Sequence, residues 1–450
     1  MNAGQWGAIE GRDRVKARRG DSDRHEGFGR ILANTGWLLG GKGVGAVLSL
    51  AYLAIVTRTL GVADFGRFAL VLSAAQAIRT LMTFDSWQII VRYGQGHLAA
   101  GLSDALARLV RFCILIDMAA ALIGCLLAAL IILVFGDMME LSTDMAVDAM
   151  AFCAVMLLTI RSTPTGLLRL FDRFDTDTLA DTMIPVGRMI GALVVLGAGH
   201  SIRGYLIAWG AAELLCAAVY WWLALREARG RTGSWRKARA LDARRENPGI
   251  VTFLISTNLQ TTLASVGRQM AVLIIGLFTG PTGAGLYRLA NQLAVALTKI
   301  SGLLSRSIFV ELARTRTAQG TDGLRLLFRR TNRLAMIAGV VIVALILLIG
   351  RPLLELIAGP AFLPAYPLLL MLGIAASIDL VGVSYRPLLM ATEAAALSLR
   401  ITLVTTMLLL ALLTLLLPLY GPIGAAAANI AAAAVGFVLM ALASRWILRN

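Results

Sequence analysis

An all-α membrane protein of about twelve helices in two pseudo-symmetric six-helix lobes is what this sequence predicts, on three observations. Of 450 residues, 58% are hydrophobic and 15% charged, with a mean hydropathy of +0.77. Soluble domains run at about 45–50% apolar and about 25% charged. Apolar runs long enough to cross a bilayer, which takes about 20 helical residues, fill most of the chain. Finally, a hairpin pattern recurs: Gly61 and Gly66 return as Gly280 and Gly285, each 219 positions on (280 − 61 = 285 − 66 = 219).

Taken in order, residues 1–30 mix Arg12, Arg14, Lys16, Arg18 and Arg19 with Glu10, Asp13, Asp21, Asp23 and Glu26, and read as a disordered cytoplasmic tail. No small-residue cleavage site follows the first apolar run, so a cleaved signal peptide is not expected. The expected spans are 31–57, 65–88, 108–135, 146–168, 178–199 and 203–225 in a first lobe (31–225). A basic linker, 226–249, follows. The second lobe (250–450) holds 250–278, 285–309, 333–357, 364–389, 397–418 and 422–444. These runs are too long and too apolar for barrel strands. The duplication extends beyond the hairpin: Gly136 with Gly359, Pro164 with Pro387, and Gly204 with Gly424 stand 223, 223 and 220 apart. Six spans return the chain to its starting side, so the halves are parallel repeats.

Charge placement sets the expected orientation. With the N-terminus inside, the inside segments hold 32 of the 42 Lys and Arg residues. The outside connections hold five (Arg58, Arg67, Arg203, Arg288 and Arg351), and five lie within spans. The positive-inside rule then puts both termini in the cytoplasm. This distribution also explains the net charge of +16 without invoking nucleic acid. The linker, with Arg229, Arg231, Trp235, Arg236, Lys237, Arg239, Arg244 and Arg245, reads first as a topological anchor and second as an anionic-lipid contact. Residues 311–333 read as a second basic interfacial segment.

Ionisable groups inside a membrane are costly and are functional candidates by default. The cations are Lys42, Arg79, Arg188, Arg268 and Lys299; the anions are Asp117, Glu213 and Asp379. At 1.5 Å per residue, Arg79 lies about 20 Å from the Gly66 turn, Lys299 about 21 Å from Gly285 and Arg268 about 18 Å before Gly280. All three therefore sit near mid-membrane. Polar stripes accompany them: Ser73, Gln76, Thr80 and Thr83 in the second span, Thr257, Thr261 and Ser265 in the seventh, Asn291, Gln292 and Thr298 in the eighth. These helices are expected to face water or substrate. Each charge can either pair with an acid on another helix or mark a pathway, and buried carboxylates can also take up a proton or a cation during transport. Asp117, Glu213 and Asp379 are thus the candidate coupling groups.

No nucleophile–base constellation, metal site or cofactor motif is visible. The four cysteines stand singly in apolar runs, and the three histidines are scattered. Gly40-Gly41-Lys42-Gly43-Val44-Gly45 looks superficially like a phosphate loop, but it lacks the Lys-Ser/Thr step and a preceding strand. A transporter rather than an enzyme is expected.

Several short stretches carry a family resemblance: Asn34-Thr35-Gly36-Trp37; Arg58-Thr59-Leu60-Gly61 with Phe65-Gly66; Pro164-Thr165-Gly166-Leu167-Leu168-Arg169 with Phe174; Gly280 to Ala290; and Gly359-Pro360-Ala361-Phe362. Over about residues 30–445 the chain resembles polysaccharide flippases, the O-antigen and exopolysaccharide translocases of the multidrug/oligosaccharidyl-lipid/polysaccharide (MOP) exporter superfamily. The resemblance implies two six-helix lobes around a cavity in the bacterial inner membrane. They would move a lipid-linked oligosaccharide, normally on undecaprenyl pyrophosphate, to the periplasmic leaflet by alternating access. It also implies a glycan polymerase and chain-length machinery as partners. A cationic lumen suits a pyrophosphate because arginine offers planar charge-assisted hydrogen bonds. On this reading Arg79, Arg268 and Lys299 form the pyrophosphate site, with Lys42 and Arg188 as further substrate contacts. Two rivals are a drug exporter of the same superfamily, which should offer acidic or aromatic groups to a cationic drug, and a polytopic glycan polymerase or ligase, which needs a large periplasmic catalytic loop.

Overall fold

A computed structural model describes residues 45–136, 142–233, 239–382, 385 and 395–449, with the side chains of 174, 178, 259–261, 263–268, 299–331, 395–396 and 446–449 left aside. The described chain is α-helical. Residues 45–82 are helical but turn back at Gly61 (φ +71°), giving α1 (45–60) and α2 (62–82). The reversal follows from packing: Tyr52 and Phe68 both meet the Trp209 ring edge-on, at 5.2 and 5.5 Å between centroids. On an unbroken helix they would stand about 24 Å apart. A left-handed residue at the turn is a conformation glycine adopts without steric cost.

The rest of the first lobe is α3 (Ser86–Ala99), α4 (Ser103–Phe135), α5 (Thr143–Leu158), α6 (Ser162–Leu170), α7 (Phe174–Ala198) and α8 (Ile202–Ala228). A short helix, α9 (Asp242–Glu246), leads into the second lobe. Ile250–Ala358 is helical throughout and turns back at Gly280 (φ +72°), giving α10 (250–279) and α11 (281–298) and ending in α12 (332–358). A 3-10 turn over Pro360–Ala365 precedes α13 (Tyr366–Val381). Ala395–Arg449 breaks at Gly421 (φ 58°, ψ −146°) into α14 (395–420) and α15 (422–449).

The twelve expected spans thus all fall on helix where the chain is described, with two corrections. The second span does not run to residue 88; α2 stops at 82 and α3 starts anew at Ser86. The fourth is interrupted within its expected bounds: the chain leaves the helix at 159–161 and α6 begins at Ser162, inside Thr143–Leu170, which is long and apolar enough to cross a membrane. Pro164 therefore sits in the first turn of α6, where its missing N–H costs no helical bond, rather than closing the span. The 1–30 tail, Lys42, Pro387, and Trp235 with Arg236 and Lys237 of the linker lie outside the described residues.

Large apolar side chains point outward along the helices: Leu133 and Leu348 are each 77% exposed. A surface of that kind suits lipid rather than water. Inside, one apolar cluster spans both lobes, joining Tyr52, Phe68, Tyr205 and Trp209 to Val272, Tyr287 and Phe362.

The lobes meet where their equivalent hairpins cross. A Cβ on Gly66 would overlap the carbonyl of Pro281, and one on Gly285 would lie 2.9 Å from the Val62 carbonyl and 3.0 Å from the Gly66 Cα. Gly66 therefore serves close approach between backbones, not the turn geometry that the sequence suggested; Gly61 alone supplies that. On the same side Phe65 packs edge-on to Phe362 at 5.7 Å. Arg58 donates to the carbonyls of Glu355, Leu356 and Ile357 at 3.3, 2.5 and 3.3 Å in the last turn of α12, where the Glu355 carbonyl also accepts from the Gly359 N–H at 3.0 Å.

Candidate functional site

Four helical segments bring one carboxylate and three guanidiniums together inside the first lobe. Glu213, on α8, has a side chain only 3% exposed. Its Oε2 accepts from Arg79 of α2 at 3.1 Å and pairs with Arg161 at 3.1 Å; its Oε1 accepts from Arg188 of α7 at 3.0 Å. Local sequence explains the convergence. Helices α7 and α8 approach closely because Gly187 and Gly191 face Ala212 and Ala208, where an added Cβ would stand 3.0 and 2.7 Å from theirs. That crossing sets Arg188 opposite Glu213. The helix break at 159–161 places Arg161 within reach, and its second amine donates to the Cys216 thiol at 3.4 Å. Arg188 also lies over the Trp209 ring, 5.7 Å from its centroid.

The charge balance is unequal. Three guanidiniums against one carboxylate leave a net +2 (3 − 1) among these four side chains. A buried ion pair is tolerable when its charges are matched and hydrogen-bonded; here Asp181, acting on Arg161, and Asp117, across the neighbouring cavity, offset part of the surplus and leave the rest for an anion to balance. Each guanidinium carries five N–H donors, so donors remain beyond those given to Glu213 and Cys216. A fourth arginine comes from the other lobe. Arg288, on α11, donates to Ser73 Oγ at 3.3 Å and Gln76 Oε1 at 3.2 Å on α2, one turn from Arg79.

Backbone carbonyls at the end of α2 and just beyond it meet the second lobe too. Thr262 donates to the Thr80 carbonyl at 3.3 Å, and Asn258 to the Thr83 carbonyl at 2.9 Å. The stripe that suggested a watery face is therefore engaged in this conformation by α10 and α11.

Beside the arginines lies a cavity of about 50 Å³ lined by Arg79, Thr83, Asp117, Thr159, Arg161 and Ser162 among others. Asp117, on α4, is buried; its Oδ2 accepts from Ser86 at 2.8 Å and Thr163 at 2.7 Å, while its Oδ1 has no partner. The first turns of α3 and α6 supply those hydroxyls. They are held together because a Cβ on Gly166 would stand 2.9 Å from the Trp87 Cα.

Of the residues the sequence singled out, Arg79, Arg188 and Glu213 are brought together, and Asp117 shares a cavity with Arg79. Asp379 lies exposed on α13 of the second lobe. Lys42 and the side chains of Arg268 and Lys299 lie outside what is described, so of the expected three-cation site only the surroundings of Arg79 can be followed. Arg161 and Arg288 were missed. Both read as cations at span ends, and the one available signal was the apolar run before Arg161, which placed it at membrane depth on an unbroken helix.

Two helical lobes that cross at equivalent hairpins beside buried arginines make up a fold seen in solved transporters. The same architecture is shared at low sequence identity by an inward-facing multidrug resistance MATE family transporter of the MOP superfamily (14% identical, TM-score 0.67, covering 90% of this chain and 96% of that one). It is shared equally by the lipid II flippase MurJ in an inward closed conformation (12% identical, TM-score 0.68, covering 91% and 87%). The sequence model of the polysaccharide biosynthesis protein family matches residues 31–309, and the chain belongs to that family. A curated relative, the inner membrane protein YghQ of Escherichia coli (strain K12), is 28% identical over 349 residues, covering 76% of this chain and 96% of its own.

Proposed function

We propose that this protein flips a polyprenyl-pyrophosphate-linked oligosaccharide from the cytoplasmic to the periplasmic leaflet of the bacterial inner membrane by alternating access, serving surface polysaccharide synthesis. The observation that carries this reading is the surplus of guanidinium charge around Glu213, close to an interface between two lobes. A pyrophosphate presents the oxygens that planar guanidiniums bind best. The family match and the MurJ-like fold support the same reading. The site residues are Arg79, Arg161 and Arg188 from one lobe and Arg288 from the other, with Arg268, Lys299 and Lys42 as further cations along the path. Both termini and the 226–249 linker are cytoplasmic on this reading, from the 32-to-5 distribution of basic residues. A glycan polymerase and chain-length machinery would take up the flipped product.

A cationic drug would meet like charge at this site, so an exporter of cations is the weaker reading despite the shared MATE-like fold. The test is binding and flipping in vesicles. Polyprenyl pyrophosphate should bind the purified protein more tightly than the corresponding polyprenyl alcohol, and Arg161→Ala should weaken the pyrophosphate selectively. Equal affinity for both lipids, or tighter binding of a cationic dye, would overturn the assignment.

A further inference from the structure

The arginine cluster and the Asp117 site are two charged groupings that face one cavity, and their carboxylates differ in what they have left to bind. Both oxygens of Glu213 are occupied by guanidiniums. Asp117 has one oxygen held by two hydroxyls and the other bare and buried. The cavity lined by Asp117, Arg79 and Arg161 has room for a few water molecules. Water there would connect the bare oxygen to the cluster.

The charged groups facing Asp117 can be named element by element. Asp85, beside Ser86 at the start of α3, adds a like charge. Arg79 from α2 and Arg161 from the α5–α6 break add opposite charge across the cavity. Cys113 lies one turn back on α4, and Ser86 and Thr163 are neutral donors. Burial favours the neutral acid, whereas the hydroxyl donors and the N-terminal turns of α3 and α6 favour the carboxylate. A group held between opposing influences changes its protonation when a nearby charge changes. A metal cation suits the site less well, because two guanidiniums already line the space it would fill.

We propose that Asp117 is a proton-binding site linked through the shared cavity to the arginine cluster, so that an anion at Arg79 and Arg161 and a proton at Asp117 favour each other's binding. The linkage rests on the anion-binding reading above; the proton site does not. Its physical basis is like-charge repulsion: an anion bound at the arginines disfavours a second negative charge on Asp117. By reciprocity the protonated site holds the anion more tightly. The sign sets this site apart from an exchanger's, in which the proton displaces the cargo.

Infrared difference spectroscopy of the full-length protein in vesicles tests this directly. Lowering the pH should raise a protonated-carboxyl C=O band that Asp117→Asn removes. The asparagine keeps an oxygen for Ser86 and Thr163 and should fold; if it does not, Asp117→Glu should move the band without abolishing it. Farnesyl pyrophosphate added at constant pH should increase the band severalfold in the wild type. The absence of any band sensitive to position 117 overturns the proton site, and so does suppression of the band by sodium chloride relative to choline chloride at fixed pH. A band that pyrophosphate leaves unchanged or diminishes, while calorimetry shows the lipid bound, overturns the linkage. If calorimetry shows no binding but the band titrates, the anion-binding reading fails and the proton site stands.

Discussion

Glu213 and Asp117 are both buried carboxylates of the first lobe, 2% and 6% exposed, yet the structure gives them opposite surroundings. Glu213 is surrounded by three guanidiniums that saturate it. Asp117 is held by two neutral hydroxyls that satisfy only one of its oxygens. The difference lies in the partners, not in the acid. A carboxylate among arginines is a fixed counter-ion that organises a cationic site; one among hydroxyls beside a cavity keeps the freedom to change its charge state.

The largest effect should come from removing the fixed counter-ion. Glu213→Ala leaves three guanidiniums without their partner, and breaking a buried ion pair costs about 3–5 kcal/mol. Thermal unfolding in detergent should show a severe loss of stability and cells should hold little protein. A variant of wild-type stability would show that the arginines do not depend on Glu213. Next in size is Arg161→Ala. Loss of one charged hydrogen bond costs about 1.5–3 kcal/mol, so affinity for a polyprenyl pyrophosphate should fall roughly ten- to a hundredfold, as read by calorimetry. Arg79→Ala should behave similarly, and both variants should lower protein abundance, since each guanidinium is paired with the buried Glu213.

Asp117→Asn should be gentler on the fold, within about 1 kcal/mol, because the amide oxygen still accepts from the two hydroxyls. Its effect should appear in transport: flipping in vesicles should lose its dependence on pH while lipid binding persists. An Asn variant that retains the wild-type pH profile would erase the contrast with Glu213. Asp379→Asn should have the smallest effect. Asp379 stands exposed on α13 of the other lobe, away from both buried carboxylates, so export and melting temperature should both stay near wild type. A loss of gradient dependence at position 379 instead would move the coupling role to the second lobe.

Much of the fold was legible in the sequence, and the site only in part. Arg79, Arg188, Glu213 and Asp117 stood out because any ionisable side chain within an apolar span does. Their partnerships did not. Arg161 looked like a topological anchor because it follows an apolar run, where positive-inside logic expects a cation. Arg288, eight residues past Gly280, looked like a loop cation because it stands close to the turn, at the start of its span. Neither reading could register that a helix break at 159–161, or a hairpin laid against α2, turns those side chains inward.

The division follows from what each kind of force depends on. Spans, reversals and the duplication are local: a bilayer demands a set length of apolar helix, and a left-handed turn favours a glycine such as Gly61 or Gly280, whatever the rest of the chain does. The sequence by itself therefore determined twelve helices, two lobes and a set of charges at membrane depth. Which charges meet depends on how closely helices approach. That was decided by Gly187 and Gly191 against Ala212 and Ala208, by Gly166 against Trp87, and by Gly66 against Pro281, contacts between residues up to 215 positions apart (281 − 66). A glycine in a membrane helix carries no mark of which neighbour it admits. Only the packed tertiary structure joined Arg161 to Glu213 and left one oxygen of Asp117 bare.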